Sequence, residues 1–252
     1  MINKRKYTLK KDKEDPRDRK YSIQVPTTYP SEVDLRKWCP AVYDQGTIGA
    51  CTAHALAADC EFNMIKQGEK SFMPARLGIY YLERQLEGTI NEDSGAQLRD
   101  GIKVVAQYGI WPEDLLPYTE SNFLVPPTQA MLTEGSKHQA LVYERMDGTL
   151  DQIKHRITSG YPFVFGFMVY KDFESSRMAQ TGLMQMPKPG EQCFGGHAVL
   201  ACGFSDSENG GSVLVRNSWS DKWGQHGYFW MPYEFITNPE LAMDMWAITR
   251  ME

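Results

Sequence analysis

Cys51 lies at the end of a glycine-containing turn, DQGTIGAC, and at the start of a segment whose apolar spacing predicts a helix. The N-terminal end of a helix carries partial positive charge and unpaired N–H groups, which favour a thiolate over a thiol. This cysteine is therefore a candidate nucleophile. Because a free cysteine is more often inert packing, the assignment also needs a base and a group that orients that base.

Two of the five histidines are candidates for the base. His54 follows Cys51 by three positions on the same predicted helix, whereas His197 follows two glycines and begins the strand-like segment AVLACGF. A histidine at the end of a strand, beside two glycines, is well placed to face a cleft. Cys51 and His54 also have the spacing of two zinc ligands, but no second close pair accompanies them, so we predict no metal and no cofactor.

The elements that must position these residues change in character along the chain. Apolar spacing with flanking glycines and prolines predicts helices at 51–67, 74–86, 97–108 and 151–159. Apolar runs typical of strands occupy 163–170, 197–204, 212–216, 228–231 and 245–249. A proline-rich segment at 117–127 separates the mainly helical part from the strand-rich part, which predicts an α+β fold with two lobes.

Composition and charge limit the classes of partner. The chain has 252 residues, of which 42% are apolar, enough for a large buried core. A net charge of −5 gives no case for nucleic-acid binding, and no apolar run is long enough for a membrane span. The first 20 residues carry nine Lys and Arg against four Asp and Glu, so a basic segment of +5 precedes a body of −10. That segment is either a solvated tail or is held on the acidic body.

The cysteines indicate the redox compartment. The five of them form no Cys-x-x-Cys pair, and the first 20 residues lack the apolar core of a secretory signal. We therefore predict a reducing, cytoplasmic location and five free thiols. Cys60 and Cys202 fall within apolar patterns and are expected to be buried, whereas Cys193, four positions before His197, could be exposed and oxidisable.

Three segments, in this order, resemble papain-like (C1 family) cysteine peptidases: VDLRKW…DQGTIGAC, GGHAVLACGF and VRNSWSDKWGQHGYFWMP. The similarity covers residues 33–248, and the type it indicates is a bacterial, archaeal or viral member without disulfides or a long pro-segment. The resemblance implies a two-lobed fold with the active-site cleft between a helical lobe, roughly 45–125, and a β-barrel-like lobe, roughly 138–252. Residues 1–32, called the arm below, precede this peptidase domain.

The resemblance implies roles for four catalytic residues. Cys51 would be the nucleophile, and His197 the base that forms an ion pair with it. Asn217 would orient the imidazole ring. The side-chain amide of Gln45 and the backbone N–H of Cys51 would stabilise the oxyanion that develops on the substrate carbonyl.

The same resemblance implies a substrate groove. Its binding residues would be Gly49, Gly95, Ala96, Gly166, Gly196, Ala198, Trp219 and Trp223. Gly95 and Ala96 would pair with an extended peptide backbone, and Gly49 would border the first subsite. The small side chains at the second subsite predict a roomy pocket with its floor near Asp244 or Met245, where Asp would admit Arg or Lys and Met would favour apolar side chains. Trp219 would cover the His197–Asn217 contact, and Trp223 would line the leaving-group side.

Two positions depart from the usual family motif Cys-Gly-Ser-Cys-Trp. Ile48 stands in place of a disulfide partner, and Thr52 replaces the aromatic residue after the nucleophile. The predicted function is a cysteine endopeptidase that hydrolyses protein or peptide substrates through an acyl-thioester. The alternatives are a papain-fold acyltransferase or amidase and a catalytically silent binding module. Because a long pro-segment is missing, we also predict that the arm contacts the body and restrains the enzyme.

Overall fold

The computed structural model describes residues 5–23 and 28–251. Helix α1 (Cys51–Gln67) begins at the candidate nucleophile and ends at Gly68, whose φ of 74° is a left-handed conformation that favours glycine. In the described residues, the other helices are α2 (Arg76–Glu87), α3 (Leu98–Gln107), α4 (Gln129–Gly135), α5 (Leu150–Thr158), α6 (Ser176–Thr181) and α7 (Tyr233–Ile236). None of the helices in this part of the chain is long and apolar enough to cross a membrane.

The strands form one antiparallel sheet. They are β1 (Glu32–Asp34), β2 (Ala140–Met146), β3 (Phe163–Tyr170), β4 (Cys193–Ser205), β5 (Ser212–Arg216), β6 (Tyr228–Pro232) and β7 (Ala242–Met251). Their order is β2-β7-β3-β4-β5-β6, and β1 pairs with β4 outside this path. Helices beside an antiparallel sheet agree with the predicted α+β class.

The central strands are buried on both faces. Along β3, the side chains of Phe163, Phe165 and Phe167 enter the core of the strand-rich part of the molecule. Val164 lies on the opposite face, in the cluster formed by α1, α2 and α3. Because side chains alternate across a strand, β3 and its neighbour β4 separate these two cores and connect the helices to the sheet.

The described arm residues lie against this body. The backbone N–H of Leu9 donates to the carbonyl of Gly196 at 3.2 Å, and that of Lys10 donates to Ala96 at 3.1 Å. Further along, the N–H of Tyr21 donates to the carbonyl of Arg145 at 2.8 Å. The first two contacts place the arm in the predicted substrate groove.

Candidate active site

The fold places His197 and Asn217 side by side. His197 lies on β4, Asn217 follows the last residue of β5, and these two strands pair in antiparallel register. His197 Nε2 and Asn217 Oδ1 are 2.8 Å apart, so the ring nitrogen donates to the amide oxygen. The other ring nitrogen, Nδ1, is buried and has no hydrogen-bond partner in the described part of the chain. It is the nitrogen left available for proton transfer.

Cys51 lies beside the same strand. Its side chain is fully buried at the start of α1 and shares an apolar cluster with Ala198, the residue that follows His197. The backbone of Ala198 lies close enough to the thiol to lower the pKa of Cys51. The helix end and the strand end, far apart in sequence, therefore bring the predicted nucleophile and base to one place.

The ionisation of this pair reflects its burial. Loss of solvent raises the pKa of the Cys51 thiol to about 12, against the smaller opposing effect of the Ala198 backbone. Burial also lowers the pKa of His197 to about 4, although the bond to Asn217 acts in the other direction. Neutral thiol and neutral imidazole are thus favoured while the arm lies in the groove. The low thiol pKa expected from the helix end alone is wrong for this covered form, because burial outweighs the helix end.

Gln45 is held by a residue that the sequence analysis missed. Its Oε1 accepts a hydrogen bond from Ser218 Oγ at 2.6 Å, and its Nε2 donates to the carbonyl of Ile48 at 3.1 Å. The Ser218 backbone N–H in turn donates to Asn217 Oδ1 at 2.9 Å. Ser218 therefore fixes which way the Gln45 amide points, and its position within the NSW segment was the only available signal.

Comparisons with known proteins identify the family of the chain. The family model for papain family cysteine proteases matches residues 29–248. The chain belongs to the papain family of cysteine proteases. It is 45% identical over 214 residues to an uncharacterized peptidase C1-like protein of Acanthamoeba polyphaga mimivirus, covering 81% of this chain and 68% of that protein.

Two further relatives extend the comparison. The crystal structure of xylellain, a cysteine protease from Xylella fastidiosa, superposes with a TM-score of 0.90 at 37% identity and covers 98% of each chain. Pro-cathepsin H of Medicago truncatula is 28% identical over 214 residues, which is 80% of this chain and 57% of that protein. The predicted papain-like α+β fold and the assignment as a peptidase are confirmed.

The residues predicted for the first subsite lie against the arm in this papain-family chain. A side chain on Gly49 would meet Thr8 and Asp93, and one on Gly95 would meet the carbonyl of Thr8. The backbone of Ala96 pairs with the arm at Lys10. Thr8 thus lies at the position predicted for the first subsite.

Leu9 lies at the position predicted for the second subsite. A side chain on Gly166 or on Gly196 would meet Leu9, and Gly166 pairs with Ala198 across the sheet. The residue that packs against Gly166 from β7 is Met243, rather than Asp244 or Met245. Asp244 has a φ of 54° and its carboxylate binds Arg145 instead, so the β7 side chain that faces Gly166 is apolar.

Aromatic rings pack around His197. Trp219 stacks on His197 with ring centroids 5.1 Å apart and an angle of 28°. Trp223 packs edge-on against Trp219 at 5.0 Å, and Phe173 contacts both rings at 5.3 Å. Phe173 gave no signal in the sequence, whereas both tryptophans were expected from the family motif.

His54 is separate from this centre. Its Nδ1 is 2.9 Å from the carbonyl of Ala50, its Nε2 is 3.3 Å from Arg76, and burial lowers its pKa well below the ordinary value. His54 is therefore a structural residue.

Among the described residues, no group of three or more His, Cys, Asp or Glu is placed to hold a metal ion. All five cysteines are free; Cys193 is exposed, and Cys60 and Cys202 are buried.

Proposed function

We propose that this papain-family protease is an endopeptidase in which Cys51, His197, Asn217 and Gln45 carry out the chemistry. The observation that carries the proposal is the state of His197. Its Nε2 is bonded to Asn217 beneath Trp219, and its Nδ1 is free beside the end of β4 that contacts Cys51. A base oriented by a third group next to a nucleophile is the arrangement that thiol acylation needs.

The reaction follows from these positions. Nδ1 of His197 takes the Cys51 proton, and the sulfur bonds to the substrate carbonyl carbon. The resulting oxyanion accepts hydrogen bonds from the Gln45 amide and the Cys51 backbone N–H, a type of contact worth ~10²–10³ in rate. Collapse of this intermediate breaks the C–N bond, and the leaving amine takes the proton from His197. Water, activated by the same imidazole, then hydrolyses the thioester and returns the thiol.

The arm restrains this enzyme by occupying the groove in reverse. Along the arm, Tyr7 lies 6.3 Å from the rings of both His197 and Trp219, Thr8 lies at the first subsite and Leu9 at the second. A substrate must run from the second subsite through the first toward the leaving-group side. The arm runs in the opposite direction, so it blocks the groove without presenting a correctly oriented peptide bond.

A buried polar cluster anchors the arm beyond the groove. Asp12 accepts hydrogen bonds from the backbone N–H of Arg99 at 3.0 Å and from Trp246 Nε1 at 2.8 Å. The backbone N–H of Asp12 donates to Asp244 Oδ2 at 2.8 Å, and Arg145 binds the other oxygen of Asp244 at 2.9 Å. Burial raises the pKa of Asp12 to about 6, and repulsion from Asp244 is the second, smaller cause.

Residues 1–4 and 24–27, which the predicted restraint also includes, lie outside the described residues.

The proposed function is tested with an epoxide-type thiol-protease inhibitor and a fluorogenic peptide that has Leu at the second subsite. The expected result is a single label on Cys51 and full turnover, and Cys51→Ala abolishes both. Label formation and one burst of acylation without turnover would indicate an acyltransferase or amidase instead. Absence of both in a chain whose arm has been displaced would indicate a silent binding module.

A further inference from the structure

A cavity of about 370 Å³ opens beside the first subsite and carries two acidic residues. Its lining residues are Lys6, Thr47, Ile48, Asp93, Glu120 and Phe123. Asp93 is also the body side chain that a substituent on Gly49 would meet, so the cavity is continuous with the wall of the first subsite. The mechanism proposed above makes no use of this carboxylate.

The carboxylate of Asp93 is fixed in place by residues of the helical part of the molecule, on one wall of the groove. Oδ1 accepts from the Gly49 backbone N–H at 3.0 Å and from the Tyr80 hydroxyl at 2.8 Å. The Tyr80 oxygen in turn accepts from the backbone N–H of Gly95 at 2.9 Å. Asp93 therefore holds a defined position relative to the two glycines between which Thr8 lies.

The second oxygen of Asp93 is directed toward a cation supplied by the arm. Oδ2 is 2.6 Å from the ammonium group of Lys6 and has otherwise only a 3.2 Å contact with the Gly49 N–H. The Asp93 side chain is 15% exposed, against 50% for Lys6, so the carboxylate is enclosed by the body whereas the lysine lies largely at the surface. When the arm leaves, the Asp93 carboxylate loses the ammonium group of Lys6 and remains a mostly buried anion without a cation partner among the described residues.

Other charges near the cavity do not replace that partner. Glu120 is a second anion, and its Oε1 accepts from Thr47 Oγ1 at 3.2 Å. The guanidinium of Arg84 donates to backbone carbonyls instead, including Phe123 at 2.8 Å. The cavity therefore favours a positive group once Lys6 is displaced.

We propose that Asp93 is a specificity-determining residue, and that it selects peptides with Arg or Lys at P1, the residue whose carbonyl Cys51 attacks. In the covered form, Lys6 occupies the place of that basic side chain. This inference rests on the proposed function, because P1 is defined by attack at Cys51. A charge-assisted contact of this kind is expected to favour a basic P1 residue by about 5- to 10-fold in kcat/KM.

The test compares two peptides that share Leu at P2 and carry either Arg or its neutral isostere citrulline at P1. Both are assayed with the full-length chain carrying Leu9→Asp, which opens the groove, and with the same chain carrying Asp93→Asn. The parent is expected to prefer Arg by about 5- to 10-fold, and this preference narrows as salt screens the charge. Asp93→Asn keeps the oxygen that binds Gly49 and Tyr80, so the fold of the subsite wall should be kept while the ratio of kcat/KM for the Arg and citrulline peptides, measured within each protein, falls to about one.

Glu120→Gln is the matched control, since it removes the other anion of the cavity and is expected to keep most of the preference. If Asp93→Asn does not fold, the ratio of kcat/KM for the Arg and citrulline peptides in the parent, and its dependence on salt, still test whether a negative charge selects a basic P1 residue. The inference is wrong, while the proposed function stands, if the parent cleaves the two peptides with equal kcat/KM. It is also wrong if Glu120→Gln abolishes the preference for Arg and Asp93→Asn does not. Absence of turnover with both peptides would overturn the proposed function and this inference with it.

Discussion

Shortening Leu9 to alanine should open the groove and raise peptidase activity. Leu9 is partly buried at the predicted second subsite, in contact with Gly166 and Gly196. Removing its branched end deletes about three carbon groups, each worth ~0.8 kcal/mol when fully buried. With roughly half of that area covered, closing of the arm weakens by about 1–2 kcal/mol. Because 1.4 kcal/mol is a factor of ten, the open fraction of a mostly closed enzyme should rise by about 5- to 30-fold.

The assay is the initial rate of cleavage of a short fluorogenic peptide with Leu at P2, measured on wild type and Leu9→Ala at equal active-site concentration. The rate of Cys51 alkylation, followed by mass spectrometry, should rise by the same factor, since both reactions need an uncovered thiol. Leu115→Ala is the matched control, because it makes the same change at a side chain that is 47% exposed. Unchanged cleavage and alkylation in Leu9→Ala would refute the idea that this side chain holds the groove closed.

Two further predictions concern the anchor and the oxyanion site. The docked-state pKa of Asp12, about 6, lies above its ordinary value of 3.8, so its contribution to docking is fully present below pH ~4 and is lost as pH rises through about 6. The cleavage rate of wild type relative to Leu9→Ala should therefore rise between pH 4 and 7, and Asp12→Asn should flatten that rise; a ratio independent of pH in wild type would contradict the assignment. Ser218→Ala removes the donor that orients Gln45, and should lower kcat by about tenfold with little change in KM. An unchanged kcat would show that the Gln45 amide keeps its orientation without Ser218.

Much of the fold was predictable because its apolar runs have clear ends. The helix at 51–67 and the strands at 163–170 and 212–216 occupy the predicted residues, since glycines or polar residues mark their limits and their interiors are buried. Strand β2 was missed because its sequence, ALVYERM, mixes charged and apolar residues as an edge strand does. Strand β4 begins four residues before the predicted start because its first residues are exposed and rich in glycine.

At the site, the residues that belong to sequence motifs were predictable, whereas the contacts that depend on strand pairing and packing were not. Family motifs predicted Cys51, His197 and Asn217, because residue type and spacing are visible in the chain, and the fold brings these three residues to one place. The residue of β7 that faces Gly166, Met243, could not be predicted because the pairing of β3 with β7 shifts register between Val164 and Gly166, and a bulge of this kind has no reliable sequence signal. The opposite charges of arm and body predicted that the two are in contact, but they could not predict that Leu9 packs against Gly166 and Gly196.

The low expected pKa of the thiol shows a further limit of sequence reasoning. A helix end and a neighbouring imidazole favour the thiolate, but the outcome depends on how much water reaches them. In the covered form burial raises the pKa of Cys51 and lowers that of His197. Displacement of the arm should readmit water and allow the ion pair to form.

The most direct measurement of the central claim is the pH dependence of Cys51 alkylation in the full-length Leu9→Ala chain, with and without His197→Ala. The account predicts that the parent is alkylated rapidly well below pH 8, because the imidazole stabilises the thiolate once the groove is open. Removal of His197 should return the titration to about 8.5, the value of an unperturbed thiol, or above it. If both proteins instead titrate near the same value, Cys51 and His197 do not form the proposed catalytic pair.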